Sequence, residues 1–373
     1  LPFCKLKAQD SSHIQISLLT CSPGDELYST FGHSALRLVD STQQKDVVFN
    51  YGTFDFDDPN FYIKFGQGNM MYFVSVAPFQ EFVKEYQYFK RGITEQELNL
   101  SCTEKTQLAG ALRTNALEQN KFYLYQFLYD NCSSRLRDIV SSHTSSPLAF
   151  KNILPGKPVT FRNLIHEYLD KGHESWSKLG IDILLGSNLD IPVKNEQAMF
   201  LPDYLMMGFD SASRSSQPLV GNKAVILPAE NNSNKDGGMP PFLIFGIICI
   251  ALAILSFSTS KPISFFFNVF DFLFFFITGL LGVLLVVMWI GRVDTVCSNN
   301  FNILWALPSH AAMAFFINKK KSWVKKYWLL CAILQIVLLL TWKWLPQEMN
   351  NALLPIVALL LLRLWMRYKK VPA

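Results

Sequence analysis

The chain has 373 residues, 50% of them hydrophobic and 14% aromatic, with a formal net charge of +5. Its mean hydropathy of +0.18 is too high for a purely water-soluble protein and too low for a uniform membrane bundle. Twelve of the 34 Lys and Arg, but only three of the 29 Asp and Glu, lie from Met239 onward, so the first part carries −4 and the last part +9. That excludes a single homogeneous domain, a disordered chain and a collagen. It also argues against nucleic-acid binding, because the positive charge lies between apolar runs and forms no basic face on a folded domain.

Residues 1–10 begin without Met and read as the remnant of a secretion signal or a cloning boundary, so they are set aside. Residues 11–210 read as an exported α+β domain. Strands are expected at 14–20, 33–39, 46–51 and 71–76, which are rich in β-branched and aromatic residues. A helix follows Pro78, with Phe79, Phe82, Val83, Tyr86 and Phe89 at helical spacing. Ser101 and Glu104 form a capping box for a helix reaching about residue 120. Residues 133–142 predict another helix. Strands first and helices later is the α+β order. Residues 179–209 are expected to pack on this domain, and 211–240, mixing Ser, Asn, Gly and Pro, read as a linker or docking segment.

From 241 to 373 the chain reads as an all-α membrane domain of five transmembrane helices. The apolar runs are 241–257, 265–290, 301–317, 327–344 and 352–366. Lysines 319, 320, 321, 325 and 326 fall between the third and fourth, and Arg363, Arg367, Lys369 and Lys370 end the chain. The positive-inside rule puts the C-terminus in the cytosol and the N-terminal domain outside. Asp271 reads as an interfacial residue of the second span. Residues 292–310 carry Asn302, Trp305 and His310, polar or amphipathic groups that are costly in a bilayer unless they face protein, water or a headgroup. They read either as lipid-binding groups or as loop asparagines with a belt tryptophan.

The chemistry-bearing residues are few. Cys249 and Cys331 lie in apolar runs as packing residues, Cys21 and Cys102 are a candidate disulfide, and no spacing resembles a metal site. Cys132 differs, because it stands where a helix is expected to start. Unpaired N–H groups and the positive dipole end favour its thiolate there, and the same N–H groups can hold an oxyanion. A thiol nucleophile needs a base, and His33, at a strand start after Gly32, is the best placed imidazole. The alternative is a buried cysteine and a satisfied histidine. The aromatic stretch 51–65, with Phe54 and Phe61, reads as a packed loop or as a surface for acyl chains.

At these residues the chain resembles the Lnb family, the lipoprotein N-acyltransferases of Bacteroidota. The blocks that carry the resemblance are Leu27-Tyr28-Ser29-Thr30-Phe31-Gly32-His33-Ser34-Ala35-Leu36-Arg37, Tyr51-Gly52-Thr53-Phe54-Asp55-Phe56 with Pro59-Asn60-Phe61, and Glu95-Gln96-Glu97-Leu98-Asn99-Leu100. They continue in Asn131-Cys132-Ser133-Ser134-Arg135-Leu136-Arg137-Asp138, Phe200-Leu201-Pro202-Asp203-Tyr204-Leu205 and Asn302-Ile303-Leu304-Trp305-Ala306-Leu307-Pro308. The resemblance implies an inner-membrane enzyme with a periplasmic catalytic domain. It implies Cys132 as nucleophile and His33 as base, with Glu26 orienting the imidazole and Tyr51 and Asp55 as rivals for that role. Asn131, Ser133, Tyr51 and Arg135 support the site. The His-before-Cys order resembles circularly permuted papain-like acyltransferases, an analogy at the level of fold.

The activity so implied is transfer of an acyl chain from a membrane phospholipid, through a Cys132 thioester, to the N-terminal amine of a diacylated lipoprotein. No cofactor or metal is called for. Two other readings stand beside it: a membrane-tethered cysteine peptidase or amidase of the cell wall, and a non-enzymatic envelope scaffold.

Overall fold

The fold is that of a computed structural model, described for residues 13–54, 60–230 and 238–372. The chain forms two compact units: Leu1–Tyr168 with Pro192–Asn234, and Leu169–Ile191 with Lys235–Ala373.

The first unit is built on β1 (Ile14–Cys21), β2 (His33–Asp40), β3 (Lys45–Thr53), α1 (Phe61–Gly66), β4 (Met71–Pro78), α2 (Phe79–Tyr88) and β5 (Ile93–Leu98). It continues with α3 (Cys102–Asn115), β6 (Phe122–Leu124), α4 (Cys132–Ser142) and α5 (Phe161–Lys171), whose last residues pass into the second unit. Among the described residues seven strands form one sheet, the seventh being β9 (Val220–Leu227), in the order β6-β4-β3-β2-β1-β5-β9, with every pairing antiparallel. The alternation of β1 and β2 places Ile16, Leu18, Leu36 and Leu38 on one face, where they join Leu108, Leu112, Leu136 and Val140 in the main core. The opposite face, with Leu19, Cys21, Ala35 and Val48, is covered by Phe79, Phe82 and Tyr86 of α2. Ser101 and Glu104 make the expected capping box at the start of α3.

The second unit begins with the end of α5 and α6 (Ser175–Leu184). The chain then returns to the first unit for α7 (Asn195–Ala198), α8 (Pro202–Ser211), the two-residue strands β7 (Ser213–Arg214) and β8 (Gln217–Pro218), and β9 (Val220–Leu227). Two expectations are corrected here. Residues 179–209 do not pack on the exported domain as one piece; up to Ile191 they belong to the membrane unit, and Leu179 is buried in its core. The stretch 211–240 is no simple linker, because β9 within it is an edge strand of the sheet, paired with β5.

The membrane unit adds α9 (Pro241–Leu255), α10 (Lys261–Gly291), α11 (Ser309–Met313), α12 (Ser322–Thr341) and α13 (Leu354–Lys370). Among the described residues three helices, Lys261–Gly291, Ser322–Thr341 and Asn351–Lys370, are long and apolar enough to cross a membrane. Two shorter apolar segments, Pro241–Leu255 and Phe301–Phe316, accompany them. The expected third span is therefore broken: a 3-10 turn at Phe301–Leu304, α11, and a 3-10 turn at Ala314–Phe316, with Pro308 at the break.

Asp271 is fully buried instead of interfacial. Arg363 binds it through two nitrogens at 2.7 and 2.9 Å, and Arg367 binds it as well. Two of the four basic residues that end the chain thus belong to a buried ion cluster, which Ser256 Oγ completes at 2.7 Å from Arg363. Charges so placed persist only when paired and hydrogen-bonded.

Candidate active site

Helix α4 starts where it does because Asn131 is a strong N-cap. Its Oδ1 accepts from the N–H groups of Ser133 and Ser134, each at 2.9 Å, and Ser134 Oγ accepts from the Asn131 N–H at 2.8 Å. Asn131 Nδ2 donates to the carbonyls of Phe127 and Phe200, both at 2.8 Å, which fixes the loop before the helix. Leu136 and Val140, fully buried, hold α4 against β2 and β3. Cys132 is the first helical residue and is buried.

His33 opens β2 directly after Gly32, whose φ of +78° a side chain would strain. Its Nε2 bonds Oδ1 of Asn50, from β3, at 2.5 Å. An amide oxygen only accepts, so Nε2 carries the proton and Nδ1 is left for the sulfur. The imidazole and the Cys132 thiol lie together against Gly52, close enough for each to bias the other's ionisation. Burial pushes the thiol up, but the charge and hydrogen bond of His33 outweigh it and leave the thiol below its ordinary value, helped by the Ser34 N–H and the Ser133 hydroxyl. Burial pushes His33 down, but the Cys132 charge, its hydrogen bond and Asn50 leave the imidazole above its ordinary value. Both directions favour a thiolate–imidazolium pair.

Ser133 Oγ lies 3.0 Å from Ser34 Oγ and 3.8 Å from the sulfur. Gly52, at φ +94°, forms the wall of the site: a Cβ there would meet Cys132 Cβ at 3.5 Å, a Tyr125 ring carbon at 3.8 Å and His33 Cε1 at 3.9 Å. A row of rings leads away from that wall. Tyr125 stacks on Tyr72 at 4.0 Å, Tyr72 meets Phe54 at 5.1 Å, and Phe54 meets Tyr28 at 6.2 Å. Tyr28 is 64% exposed. Burial, followed by the nearby Cys132 charge, pushes the Tyr72 phenol up to about 12.

The structure thus joins Cys132, His33, Asn131 and Ser133, and adds Asn50, Gly52, Tyr72 and Tyr125, which sequence reasoning missed. An asparagine inside the strand pattern Val47-Val48-Phe49-Asn50-Tyr51 carries no local signal; only its placement on the strand beside His33 reveals it. Glu26 does not orient His33. It is exposed, its carbonyl accepts from Ser29 Oγ at 2.9 Å and Thr30 Oγ1 at 3.3 Å, and Asn50 occupies the position expected for it. Tyr51 is a core residue whose hydroxyl accepts from Asn115 at 3.0 Å. Arg135 lies over the Tyr123 ring at 3.7 Å and pairs with Asp130 at 2.6 Å, so it braces α4 against the loop before it. Asp55 and the Phe61 side chain lie outside the described residues. The Ser133 N–H, expected to hold an oxyanion, is already taken by Asn131. Cys21 and Cys102 do not form the expected disulfide: the first is buried in β1 and the second is exposed at the start of α3.

The membrane-side candidates have a different role from the one expected. Asn302, Trp305 and His310 are all buried. Asn302 Nδ2 donates to the carbonyls of Asp182 and Ile183 at 2.9 and 3.2 Å, and its Oδ1 accepts from Trp305 Nε1 at 2.9 Å. Asn300 Nδ2 donates to Ile183 and Leu184, and Gln347 Nε2 to Asp182 and Leu185. These are the carbonyls that the C-terminus of α6 leaves unmatched. The amides are therefore a clamp on a helix end instead of a headgroup site. His310 Nδ1 bonds the Tyr327 hydroxyl at 2.6 Å inside the same unit.

Among known proteins, the family model described as the Lnb N-terminal periplasmic domain matches residues 4–167. That described as the Lnb transmembrane domain matches residues 232–371. No curated protein and no solved structure matches the chain. Both parts of one family occur here in one order, each on the unit whose fold suits it, a large sheet with helices and then an apolar helical unit. The chain belongs to the Lnb family, as a lipoprotein-modifying membrane protein with an N-terminal periplasmic domain.

Proposed function

We propose that the protein is a lipoprotein N-acyltransferase working through a Cys132 thioester. The observation that carries the reading is the Cys132–His33–Asn50 constellation at the start of α4, in a chain that also bears a membrane unit. The Cys132 thiolate attacks an ester carbonyl of a phospholipid, and the S–C bond forms as the carbonyl electron pair moves to oxygen. When that intermediate collapses, the imidazolium of His33 protonates the departing lysophospholipid oxygen. The α-amino group of a diacylated lipoprotein then attacks the thioester. His33 takes the ammonium proton and returns it to the leaving sulfur. Asn50 holds the ring in one orientation throughout.

The row from Tyr28 to Tyr125 supports an acyl chain as the group transferred, since it offers apolar ring faces from an exposed tip inward to the nucleophile. The same trio of side chains also serves peptide hydrolysis, but a peptide backbone has no use for such a row. Both lipid substrates are membrane-anchored, so a membrane-held catalytic unit meets them at high effective concentration. The lysine-rich loop 319–326 supports a cytosolic C-terminus and an inner-membrane location.

The test is intact-mass analysis of a lipoprotein made in cells depleted of their own N-acyltransferase. Wild type is expected to add one acyl chain and Cys132→Ala none, with that variant still folded and membrane-inserted. Acylation by Cys132→Ala at the wild-type level overturns the reading.

A further inference from the structure

An oxyanion needs more than one donor, and the helix start supplies fewer than its geometry suggests. The N–H groups of Ser133 and Ser134 both point to Asn131 Oδ1 at 2.9 Å. The Cys132 N–H, in the first turn, has no intrahelical acceptor, and among the described residues no other backbone acceptor takes it. A second donor has to come from a side chain near the sulfur.

Tyr123 is placed for this. It lies on β6 directly opposite Tyr72, so both rings project from the same face of the sheet. It shares one buried cluster with Cys132 and Tyr51. The guanidinium of Arg135, one turn beyond Cys132 on α4, covers its ring at 3.7 Å. Tyr123 is only 7% exposed, yet its hydroxyl has no hydrogen-bond partner among the described residues. Buried phenols normally find one. Its neighbour Tyr51 does, through Asn115.

We propose that the Tyr123 hydroxyl is the second donor of the oxyanion hole, acting with the Cys132 N–H, and that its empty hydrogen-bonding position is the place of the substrate carbonyl oxygen. The proposal rests on the acyl-transfer reading above. As the Cys132 sulfur bonds to the carbonyl carbon, the oxygen takes up the displaced electron pair, and the two donors hold its charge. The O–H proton stays on Tyr123 during attack and collapse; only His33 gives a proton to the leaving oxygen. Burial, and then the nearby Cys132 charge, push the phenol well above its ordinary value, so it remains a donor across the working range. Arg135 over the ring holds the hydroxyl in place.

The test uses the full-length protein in phospholipid nanodiscs. Tyr123→Phe removes one oxygen that makes no hydrogen bond to the described residues. Three quantities are read: the rate of acyl-enzyme formation by intact mass, the rate of Cys132 alkylation by iodoacetamide, and thermal unfolding. Alkylation passes through no oxyanion. The expected result is acyl-enzyme formation slowed about a hundredfold or more, with alkylation and unfolding as in wild type. Acylation at the wild-type rate overturns the proposal. So does a parallel loss of alkylation, which marks a disturbed thiolate instead of a missing donor. If wild type forms no acyl-enzyme while its thiol alkylates normally, the acyl-transfer reading itself fails and takes this proposal with it.

Discussion

His33 Nε2 lies 2.5 Å from Asn50 Oδ1, an imidazole on one strand held by an amide on the next. The bond fixes which ring nitrogen faces Cys132, and it stabilises the ring in its charged form. A hydrogen bond to a charged group contributes about 1.5–3 kcal/mol. Asn50→Ala is therefore expected to slow acyl-enzyme formation by about ten- to a hundredfold. Single-turnover kinetics check this; an unchanged rate would mean the ring is positioned by something else.

The same pair sets the pH response. His33 binds its proton more tightly in the folded protein, so its contribution to stability is full below 6.5 and fades as pH rises through the raised value. Cys132 binds its proton less tightly, so its contribution is full above 9.0 and fades as pH falls through the lowered value. Alkylation of Cys132 is expected to titrate below the ordinary thiol midpoint. In His33→Ala, burial acts without its main opponent, and the midpoint is expected to move upward. A midpoint unaffected by His33→Ala would contradict the pairing.

Gly52 combines a φ of +94° with a wall position against Cys132 and His33. Gly52→Ala is expected to cost about 1–2 kcal/mol through the backbone alone. The added methyl also fills space beside the sulfur, so acylation should fall further than the stability loss explains. Thermal unfolding and acyl-enzyme rates separate the two effects.

Asn302 distinguishes a structural amide from a lipid contact. Asn302→Ala removes two bonds to the end of α6 and one from Trp305. The expected outcome is a destabilised membrane unit, by about 1–3 kcal/mol, with Cys132 alkylation unchanged. Thermal unfolding in detergent measures the first. A weakened dependence on phospholipid concentration with no change in unfolding would restore the headgroup reading.

The parts of this molecule that follow from local rules were legible in the sequence. An N-cap followed by a helical run marked Cys132, a glycine before a strand marked His33, and Ser101 with Glu104 marked α3. What stayed hidden depends on long-range placement. Asn50 matters through the pairing of β2 with β3, and Tyr72, Tyr123 and Tyr125 through the joining of β4 to β6. Glu26 was misread because nearness to His33 in sequence does not bring it to the ring: it stands exposed before a tight 3-10 turn that its backbone carbonyl, not its carboxylate, closes. Polar residues in a membrane segment suggest function by default, but the acceptors of Asn302 lie 120 residues earlier, on a helix that composition assigned to the other domain. β9 hid in a stretch rich in linker residues because edge strands tolerate polar, exposed positions.

The central claim is that Cys132 carries the acyl group as a thioester, and peptide mass mapping after incubation with phospholipid tests it most directly. The account predicts one acyl chain on the peptide containing Cys132, released by neutral hydroxylamine, absent in Cys132→Ala and strongly reduced in His33→Ala. An acyl chain on another residue, or lipoprotein acylation proceeding with Cys132 never modified, would contradict it.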